Sequence, residues 1–431
     1  MHADGGGRVS QRWSDMISVA EQLALLTRGV VDLHVRAELE QRLEESRKTH
    51  KPLSIKAGFD PTRPDLHIGH AVLLAKMRQF QELGHHVVLL VGDFTAMVGD
   101  PTGQNELRPR LSRDEVRAAA KTYTDQAFKI LDSKATEVRY NSEWLEALKP
   151  SEVVELMAKM TVSRMLERND FGQRFADHKP IYQHEFLYPL LQGYDSVALK
   201  SDVELGGTDQ LFNLLVGRDI MPKYGLPGQI VMTTPILEGT DARIEDGKVV
   251  GKKMSKSAGN YIGLTEEPLS MYRKIMQVDD EVIFRYFELL SAKSNQEIAA
   301  LREQRRAGKN PMEIKALFAE ELVTRFHDAA AAERAATEFA RVYSKDAVPD
   351  EVPEHAVATD GPTLWLAKAL SATGLVKSTS EGRRMVEQGG VEIDQKPERD
   401  PQRQLEVGKR YLLRVGSKNR RFAWVKVVGG G

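Results

Sequence analysis

The sequence predicts an α/β protein in three parts: an α/β body, a helix-rich segment and a small, basic α+β module at the C-terminal end. Short apolar runs alternate with amphipathic segments between about residues 52 and 240, a pattern typical of a sheet covered by helices. Charge also divides along the chain, because residues 361–431 contain 14 Lys and Arg against 7 Asp and Glu. The whole chain has a net charge of −1, which leaves −8 for the other residues. A basic module of this kind is suited to a polyanionic partner, although a small domain can also simply have a basic surface.

Length and composition narrow the class of protein. At 431 residues the chain is too long for one typical domain, so we expect two or three. Cysteine is absent, which excludes disulfides, thiolate nucleophiles and Cys-based zinc sites. We find no apolar run long enough to span a bilayer, and we expect the Gly-rich, polar residues 1–15 to be a disordered tail rather than a signal peptide. We therefore expect a cytoplasmic protein.

The coarse elements follow from apolar spacing. We predict helical structure from Met16 to about Lys48, a strand over Leu53–Phe59, a helix over Leu66–Leu83 that Gly84 ends, and a strand over Val87–Val91. The predicted domain limits are an α/β domain with its N-terminal helices over 16–262, a helical domain over 263–343, a Pro- and acid-containing linker over 344–361, and the basic module over 362–431.

The first motif is a strand–turn–helix that begins at Lys56–Thr62. Phosphates favour such a turn, because free backbone N–H groups and the helix dipole point at the anion. Gly58 and Gly69 would let a nucleotide approach the backbone closely. His67 and His70 lie three residues apart near one face of the first helical turn, from which both can donate hydrogen bonds to phosphate oxygens. Capping or surface roles are the alternative for an isolated pair of histidines.

The second motif, Lys253–Ser257, is a cationic loop between Gly251 and Gly259. Ammonium groups in such a loop can stabilise the negative charge that builds on phosphorus and on a departing pyrophosphate. The two flanking glycines would let the loop close over a bound nucleotide. A solvated run of lysines is the alternative, against which Met254 and the two serines argue.

Together the two motifs resemble the ATP-handling signatures of class I aminoacyl-tRNA synthetases. The resemblance implies a Rossmann-like catalytic domain, ATP as a substrate, Mg²⁺ bound through the ATP phosphates, and neither a tightly bound metal nor an organic cofactor. The catalytic residues that it implies are His67, His70, Thr62, Lys253 and Lys256. The ATP-binding residues that it implies are Gly58, Asp60, Gly69, Gly207, Asp209, Arg108, Met254, Ser255 and Ser257.

The stretch Tyr188–Asp195 resembles the tyrosyl-tRNA synthetases within this class. On a helix, Tyr188, Gln192 and Asp195 fall at i, i+4 and i+7 and form a polar stripe, whose alternative interpretation is the partly buried edge of an amphipathic helix. By resemblance, Asp195 accepts a hydrogen bond from the phenol of tyrosine, and Tyr188, Gln192 and Asp100 surround the amino group. The full set of implied tyrosine contacts is Lys56, Thr95, Asp100, Tyr188, Gln192, Asp195 and Gln210.

Lys56 departs from the family pattern, because many members carry a tyrosine there that bonds the substrate phenol. A lysine cannot accept a hydrogen bond, but it can donate one to the phenol oxygen or pair with Asp195. We predict that this chain reads tyrosine with a Lys–Asp pair and that Lys56→Ala raises the KM for tyrosine.

The C-terminal module is predicted to form a helix pair, a Gly389-Gly390 turn and short strands, which resembles the S4-type RNA-binding domain. The residues that this resemblance implies in RNA binding are Arg383, Arg384, Lys418 and Arg420. Such contacts give salt-sensitive affinity with little base readout. Before the module, Pro311–Phe326 is an amphipathic helix that we expect to pack inside its own domain, in a region that contributes to anticodon recognition in the family.

The resemblance covers nearly the whole chain and implies a tyrosine–tRNA ligase that acts on L-tyrosine, ATP and tRNA(Tyr), as a homodimer and without a membrane. One alternative is the same chemistry on tryptophan, which Asp195 disfavours because an indole offers only an N–H donor. The other is a catalytically inactive RNA-binding scaffold, for which the two intact motifs would be unnecessary.

Overall fold

The computed structural model describes residues 17–61, 66–101, 113–343, 352–416 and 421–429. The chain forms two compact units, which divide between Ala336 and Thr337. The first contains a six-stranded sheet with its covering helices, and the second contains a five-stranded sheet and the helices packed on it. The domain limit at 262 remains a prediction.

The strands of the first sheet are β1 Leu33–His34, β2 Ser54–Phe59, β3 His86–Val91, β4 Thr136–Tyr140, β5 Val203–Gly207 and β6 Ile230–Thr234. Their spatial order is β1–β6–β5–β2–β3–β4. The two-residue edge strand β1 runs antiparallel to β6, and the other neighbours pair in parallel. Parallel strands buried on both faces are typically continuous apolar runs, and β3 is buried from Val87 to Val91. The predicted α/β body is confirmed.

The helices of this body are α1 Val19–Thr27, α2 Arg36–Thr49, α3 Ile68–Glu82, α4 Asp93–Val98, α5 Arg113–Ala127, α6 Ser142–Leu145, α7 Pro150–Met157, α8 Val162–Met165, α9 Asn169–Ala176, α10 Gln183–Leu199 and α11 Leu211–Ile220. Short 3₁₀ turns at Thr208–Gln210 and Met221–Tyr224 flank α11. The predicted helix after β2 is confirmed as α3, which ends just before Gly84 at φ +85°. The N-terminal region contains two helices and β1 rather than continuous helix.

A small hairpin and a helical segment complete the first unit. The hairpin pairs β7 Arg243–Glu245 with β8 Lys248–Val250. The helices that follow are α12 Pro268–Gln277, α13 Val282–Leu290, α14 Asn295–Arg306, α15 Pro311–Phe326 and α16 Ala329–Tyr343, the last of which crosses into the second unit. The predicted helix α15 buries Ile314, Phe318 and Leu322, whereas Met312 and Leu317 of the same apolar stripe are exposed.

The elements of the second unit are β9 Glu354–Thr359, β10 Thr363–Trp365, α17 Leu366–Ala372, α18 Thr379–Glu387, β11 Val391–Ile393, β12 Lys396–Glu398, β13 Gln404–Glu406, β14 Arg410–Val415 and β15 Arg421–Gly429. The main sheet has the order β12–β11–β14–β15–β9, and β10 pairs separately with β13. The helix pair followed by short strands confirms the predicted α+β module. The prediction of a linker over 344–361 is wrong in its second half, because β9 lies there and pairs in parallel with β15.

Candidate active site

The start of α3 holds both histidines of the first motif in one tautomer. His67 accepts a hydrogen bond at Nδ1 from the Gly69 amide at 3.2 Å, and His70 accepts one at Nδ1 from the His67 amide at 3.2 Å. A neutral imidazole that accepts at Nδ1 carries its proton on Nε2. Each ring therefore keeps one N–H group, at Nε2, that can donate to an anion.

The amide groups at this helix start are already bonded within the protein. The Ile68 amide donates to the Ile262 carbonyl at 2.9 Å, and the His70 amide donates to the His67 carbonyl at 2.9 Å. With the Gly69 amide on the His67 ring, the expectation of free backbone donors is wrong for these three residues. Gly69 is required for a different reason, because a Cβ there would lie 2.9 Å from the His67 ring.

Both imidazoles are neutral at physiological pH. Burial lowers the pKa of His67 to about 3, and the nearby His70 and Lys253 lower it as well. Burial lowers the pKa of His70 to about 4, with a further lowering by Lys253. The pair therefore offers hydrogen bonds, while positive charge comes from the lysines of the second motif.

The loop of the second motif meets the first motif at Met254. Met254 is buried, and its Cβ lies 3.8 Å from the position that a Gly69 Cβ would take. Lys253 is exposed, and its ammonium lies 3.4 Å from a carboxylate oxygen of Asp209, just after β5. The structure thus brings His67, His70, Lys253 and Asp209 to one edge of the sheet, and their role in ATP binding stays a prediction.

The two glycines that flank this loop differ in what they do. Gly259 has φ +69°, a left-handed conformation that favours glycine. Gly251 has no such backbone requirement, but a Cβ there would lie 2.6 Å from the Ala242 Cβ. Gly251 is therefore needed for close packing of the chain entering the loop. The serines lie together, with Ser255 and Ser257 hydroxyls 3.4 Å apart.

Helix α10 carries the predicted polar stripe, with Tyr188 and Asp195 buried and Gln192 half-buried. Asp195 accepts hydrogen bonds from the Trp144 indole at 2.8 Å and from the Asn141 amide at 3.3 Å. Burial raises the pKa of Asp195 to about 7, although the positive charge of Lys56 and the two hydrogen bonds oppose this rise. Asp195 is therefore a buried acceptor with partial occupancy of its proton near neutral pH.

Lys56 forms a buried ion pair with Glu204 instead of the expected pair with Asp195. The two residues lie opposite one another on β2 and β5, and Lys56 Nζ is 3.0 Å from Glu204 Oε1. Lys56 also donates to the main-chain carbonyl of Gln192 at 3.2 Å. Of the two roles predicted for Lys56, the direct pair with Asp195 is replaced by the pair with Glu204, and donation to the phenol oxygen stays a prediction. The positive charge of Lys56 nevertheless acts to lower the pKa of Asp195.

Asp60 joins the two halves of the site. It accepts hydrogen bonds from the Thr95 hydroxyl at 2.7 Å and the Tyr188 hydroxyl at 2.8 Å. The pKa of Asp60 is raised to about 7, mainly by burial. The hydrogen bonds from Thr95 and Tyr188 oppose this rise, and the negative charges of Asp100 and Asp195 contribute to it. Gly92 makes this contact possible, because a Cβ there would lie 2.1 Å from the Asp60 carboxylate.

Asp100 and Gln210, both predicted tyrosine contacts, lie together. The Gln210 amide donates to Asp100 at 2.8 Å, and the buried Arg168 lies 3.9 Å from the other oxygen of Asp100. The Asn213 amide donates to the Gln210 carbonyl oxygen at 2.9 Å. Gly207 precedes this group and lets the Asp209 carboxylate approach, because its Cβ would lie 2.5 Å from Asp209 Oδ1.

Several predicted residues are not tested by these contacts. Thr62, Arg108, Lys418 and Arg420 lie outside the described residues. Gly58 is exposed at the end of β2, and Ser257 and Lys256 are exposed in the loop. Arg383 and Arg384 are exposed on α18 in the second unit, where Arg383 also pairs with Glu387 at 3.0 Å.

Sequence reasoning missed Glu204, Trp144, Arg168 and Gly92. Glu204 offers a signal, since a carboxylate inside an otherwise apolar strand needs a buried partner. The other three offer none, because their partners lie far away in the sequence. Among the described residues no group of three or more His, Cys, Asp or Glu side chains could hold a metal ion. Within that same part of the chain, we find no helix with the length and apolar character needed to cross a membrane.

Comparisons with family models and with known proteins identify the family of the chain. A model described as tRNA synthetases class I (W and Y) matches residues 48–344, and an S4 domain model matches residues 364–410. A tyrosine–tRNA ligase from Geobacter sulfurreducens is 52% identical over 408 residues, which cover 94% of this chain and 99% of that protein. One from Desulfotalea psychrophila is 49% identical over 415 residues, or 96% and 99% of the two chains.

Solved structures show the same fold. A tyrosyl-tRNA synthetase from Archaeoglobus fulgidus, complexed with L-tyrosine, superposes with a TM-score of 0.57 at 23% identity, over 73% of this chain and 99% of that chain. A C-terminally truncated mitochondrial tyrosyl-tRNA synthetase from Aspergillus nidulans gives 0.63 at 21% identity, over 78% and 99%. The chain therefore belongs to the class I tRNA synthetases of the tryptophan and tyrosine type, among the tyrosine–tRNA ligases.

Proposed function

We propose that the protein is a tyrosine–tRNA ligase. It activates L-tyrosine with ATP to give tyrosyl-adenylate and pyrophosphate, and it then transfers the tyrosyl group to the 3′-terminal ribose of tRNA(Tyr). The observation that carries this proposal is the buried acceptor Asp195, set beside a buried lysine in a chain about half identical to tyrosine–tRNA ligases over nearly its whole length.

Activation needs charge stabilisation and positioning, and no protein nucleophile. The carboxylate of tyrosine attacks the α-phosphorus of ATP, and the bond to pyrophosphate breaks. Lys253 and Lys256 supply positive charge, while the Nε2–H groups of His67 and His70 donate to phosphate oxygens. We assign Thr62 and Arg108 to the same phosphates by family resemblance. Mg²⁺ would be held by the ATP phosphates and would neutralise part of their charge.

Tyrosine recognition rests on two buried groups, one that accepts a hydrogen bond and one that donates. Asp195 accepts the phenol hydrogen, and Lys56 donates to the phenol oxygen. Among the described residues, the Lys56 ammonium has two acceptors, Glu204 and the Gln192 carbonyl, for its three hydrogens. A phenol oxygen would be the third. Phenylalanine would leave both charged groups without this partner, which is costly in a buried site.

The remaining pocket residues suit the amino-acid head group. Tyr188, Gln192 and Asp100 would surround the α-ammonium. Asp60, which Thr95 also bonds, holds the Tyr188 hydroxyl, and Gln210 holds the Asp100 carboxylate. Gly207 and Asp209 would meet the ribose of ATP. Binding at the carboxyl ends of β2 and β5 is typical of open parallel sheets.

We assign tRNA binding to the S4-like unit and to the helical segment 263–343. The exposed Arg383 and Arg384 on α18 support the first assignment. We also assign the enzyme to the cytoplasm.

A homodimer is supported by exposed apolar side chains that cluster in one stretch of the chain, between residues 154 and 182. They are Val154, Met157, Val162, Phe175 and Tyr182. A contiguous exposed apolar patch marks an interaction surface, and these residues are our candidates for one between two copies. Sedimentation analysis of the purified protein, and of a Phe175→Asp variant, tests whether this region joins two copies.

The decisive experiment is amino-acid-dependent exchange between ATP and pyrophosphate, with tyrosine, phenylalanine and tryptophan in parallel. Exchange with tyrosine alone is expected. Exchange with tryptophan would reverse the assignment of substrate, and exchange with none of the three would favour a protein that only binds RNA.

A further inference from the structure

The cationic loop has a second buried anchor that neither motif includes. Residues 252–259 are largely exposed, apart from Met254. Asn260, directly after the loop, is only 4% exposed. An amide side chain buried at the foot of an exposed loop must satisfy its hydrogen bonds within the protein, so its partners show what it holds in place.

The side chain of Asn260 contacts both limbs of the loop. Its Oδ1 accepts a hydrogen bond from the Ser255 amide at 2.9 Å, and its Nδ2 donates to the Asp241 carboxylate at 2.9 Å. Nδ2 also lies 3.4 Å from the carbonyl oxygens of Lys252 and Lys253. One side chain thereby connects the chain that enters the loop with the middle of the loop.

The neighbouring backbone is shaped around this amide. A Cβ at Gly239 would lie 2.1 Å from Asn260 Nδ2, so the amide packs directly on the Gly239 main chain. Gly239 also donates its amide to the Lys252 carbonyl at 3.0 Å, and Met254 donates its amide to the Leu237 carbonyl at 2.9 Å. Asn260 therefore covers the end of a short antiparallel ladder that holds the main chain around Lys253.

We propose that Asn260 is a positioning residue for the activation step. Its amide fixes the main chain at Lys253 and Ser255, which keeps the Lys253 ammonium beside Asp209 and the two histidines. A lysine side chain is long and flexible, so a fixed main chain reduces the volume that its ammonium explores before the reaction. Asn260 itself does not touch the reacting atoms. The inference rests on the proposed function, because it concerns the charge that develops on ATP.

The test is single-turnover formation of tyrosyl-adenylate by Asn260→Ala, together with equilibrium binding of tyrosine. The rate constant is expected to fall by roughly 100-fold, the size of effect that misplacement of a catalytic group by about 1 Å produces. The dissociation constant for tyrosine is expected to stay unchanged, because Lys56, Tyr188 and Asp195 lie on other elements. Gln81→Ala, which removes another buried side-chain amide, 5% exposed and bonded to the Asp132 main-chain amide at 2.9 Å, is the matched control and should change neither quantity.

Exchanging the amide of Asn260 and the carboxylate of Asp241 gives a second test. Asn260→Asp alone puts a second carboxylate beside Asp241 and should slow activation as much as the alanine variant. Adding Asp241→Asn places the amide donor at position 241, opposite the new carboxylate at position 260. That carboxylate can still accept the hydrogen bond from the Ser255 amide. The double variant should therefore recover most of the rate.

An unchanged rate constant in Asn260→Ala would overturn the inference. So would a parallel loss of tyrosine affinity and thermal stability, which would indicate general damage, or failure of the double variant to recover activity. If the unsubstituted enzyme forms no tyrosyl-adenylate, the proposed function fails instead, and that result is visible before any variant is made.

Discussion

Glu204 is the residue that makes a buried lysine tolerable in the pocket. One of its oxygens meets Lys56, and the other accepts hydrogen bonds from the Ser196 hydroxyl at 2.6 Å and the Gln229 amide at 2.7 Å. A buried ion pair is costly unless additional hydrogen bonds complete it. The carboxylate is well satisfied here, whereas within the described part of the chain the ammonium uses two of its three hydrogens. We therefore expect the third hydrogen of the Lys56 ammonium to be donated to a bound ligand.

Replacement of Lys56 is expected to weaken tyrosine binding. Lys56→Ala removes a charged donor to the phenol and leaves Glu204 buried without its cation. Loss of a hydrogen bond to a charged group costs about 2 kcal/mol, so the KM for tyrosine should rise by roughly 30-fold. The measurement is tyrosine-dependent exchange at saturating ATP.

The control for Lys56 is another buried lysine. Lys76 is 4% exposed and donates to the main-chain carbonyls of Leu26 and Arg28, both at 2.9 Å. Lys76→Met should lower stability and leave the KM for tyrosine unchanged. Equal effects of the two substitutions on the KM would contradict a specific role of Lys56.

Asp195→Ala is expected to reduce the preference for tyrosine over phenylalanine by about 100-fold. The substitution removes the acceptor for the phenol hydrogen, so kcat/KM for tyrosine should fall by about 100-fold. Phenylalanine makes no hydrogen bond to Asp195, so its kcat/KM should change little. Exchange kinetics with both amino acids measure the ratio. A variant that still prefers tyrosine as strongly would show that Asp195 does not read the phenol, and the tryptophan alternative would gain support.

Tyrosine affinity should depend on pH through the buried carboxyls. The pKa values of Asp60 and Asp195 are raised to about 7, so both ionise as the pH rises from about 6 to about 8. An ionised Asp195 is the better acceptor, and the KM for tyrosine should therefore fall over this range. Asp195→Asn should flatten the profile, and a KM that does not vary with pH in the unsubstituted enzyme would contradict the assignment.

Asp60 and Asp195 should also make the stability of the fold depend on pH. Each carboxyl has a pKa in the folded chain above its unfolded value near 4, so its contribution to stability is fully present below pH 4 or so. That contribution is lost as the pH rises through about 7, because burial disfavours the charged form. Tyrosine, which supplies a donor to the charged Asp195, should offset this loss.

At the scale of elements, short-range sequence patterns predicted the strands and helices whose formation depends mainly on neighbouring residues. The strand β2 and the helix α3 follow from an apolar run and from a periodic segment that Gly84 ends, and both lie within two residues of the predicted limits. The strand β9 was missed because its alternating pattern is only half-buried and its partner β15 begins more than sixty residues later. Its strand conformation depends on that distant pairing.

The candidate site shows the same division. Spacing predicted that His67 and His70 share a helical turn, but their common tautomer depends on which amides they accept from. The polar stripe on α10 was predicted. The ion pair of Lys56 with Glu204 was not, because it depends on the register between β2 and β5, two strands that are far apart in the sequence. Long-range pairing decided each feature that the sequence did not reveal.

Helices α10 and α11 approach closely behind this ion pair, which leads to a prediction for Gly217. A Cβ at Gly217 would lie 2.7 Å from Gln229 Nε2 and 3.4 Å from the Gly193 Cα. Gly-to-Ala changes inside helices normally stabilise by about 1 kcal/mol, but overpacking costs about 1–3 kcal/mol. Gly217→Ala should therefore lower the free energy of unfolding and also raise the KM for tyrosine, since it displaces the amide that holds Glu204. Urea unfolding that shows a gain in stability would refute this packing argument.

At the scale of the whole molecule, the proposed division of labour separates two reactions. Activation uses only the first unit, whereas transfer also needs tRNA, for which the second unit offers exposed Arg383 and Arg384. Contacts with phosphate release counterions, so their contribution to affinity falls as salt rises. A defect confined to the second unit should consequently appear in tRNA charging and be absent from amino-acid activation.

The double substitution Arg383→Ala, Arg384→Ala should weaken tRNA binding by about tenfold and reduce the slope of log affinity against log salt by about 2, because two phosphate contacts are lost. Tyrosine-dependent exchange should be unchanged. The matched control is Lys48→Ala in the first unit, since Lys48 is also exposed and also pairs with a glutamate one helical turn away, Glu44 at 3.6 Å. Equal loss of tRNA affinity in both variants would indicate a nonspecific charge effect. An unchanged salt slope in the double variant would mean that α18 does not contact the phosphates, and the RNA-binding surface of the second unit would then have to lie elsewhere on it.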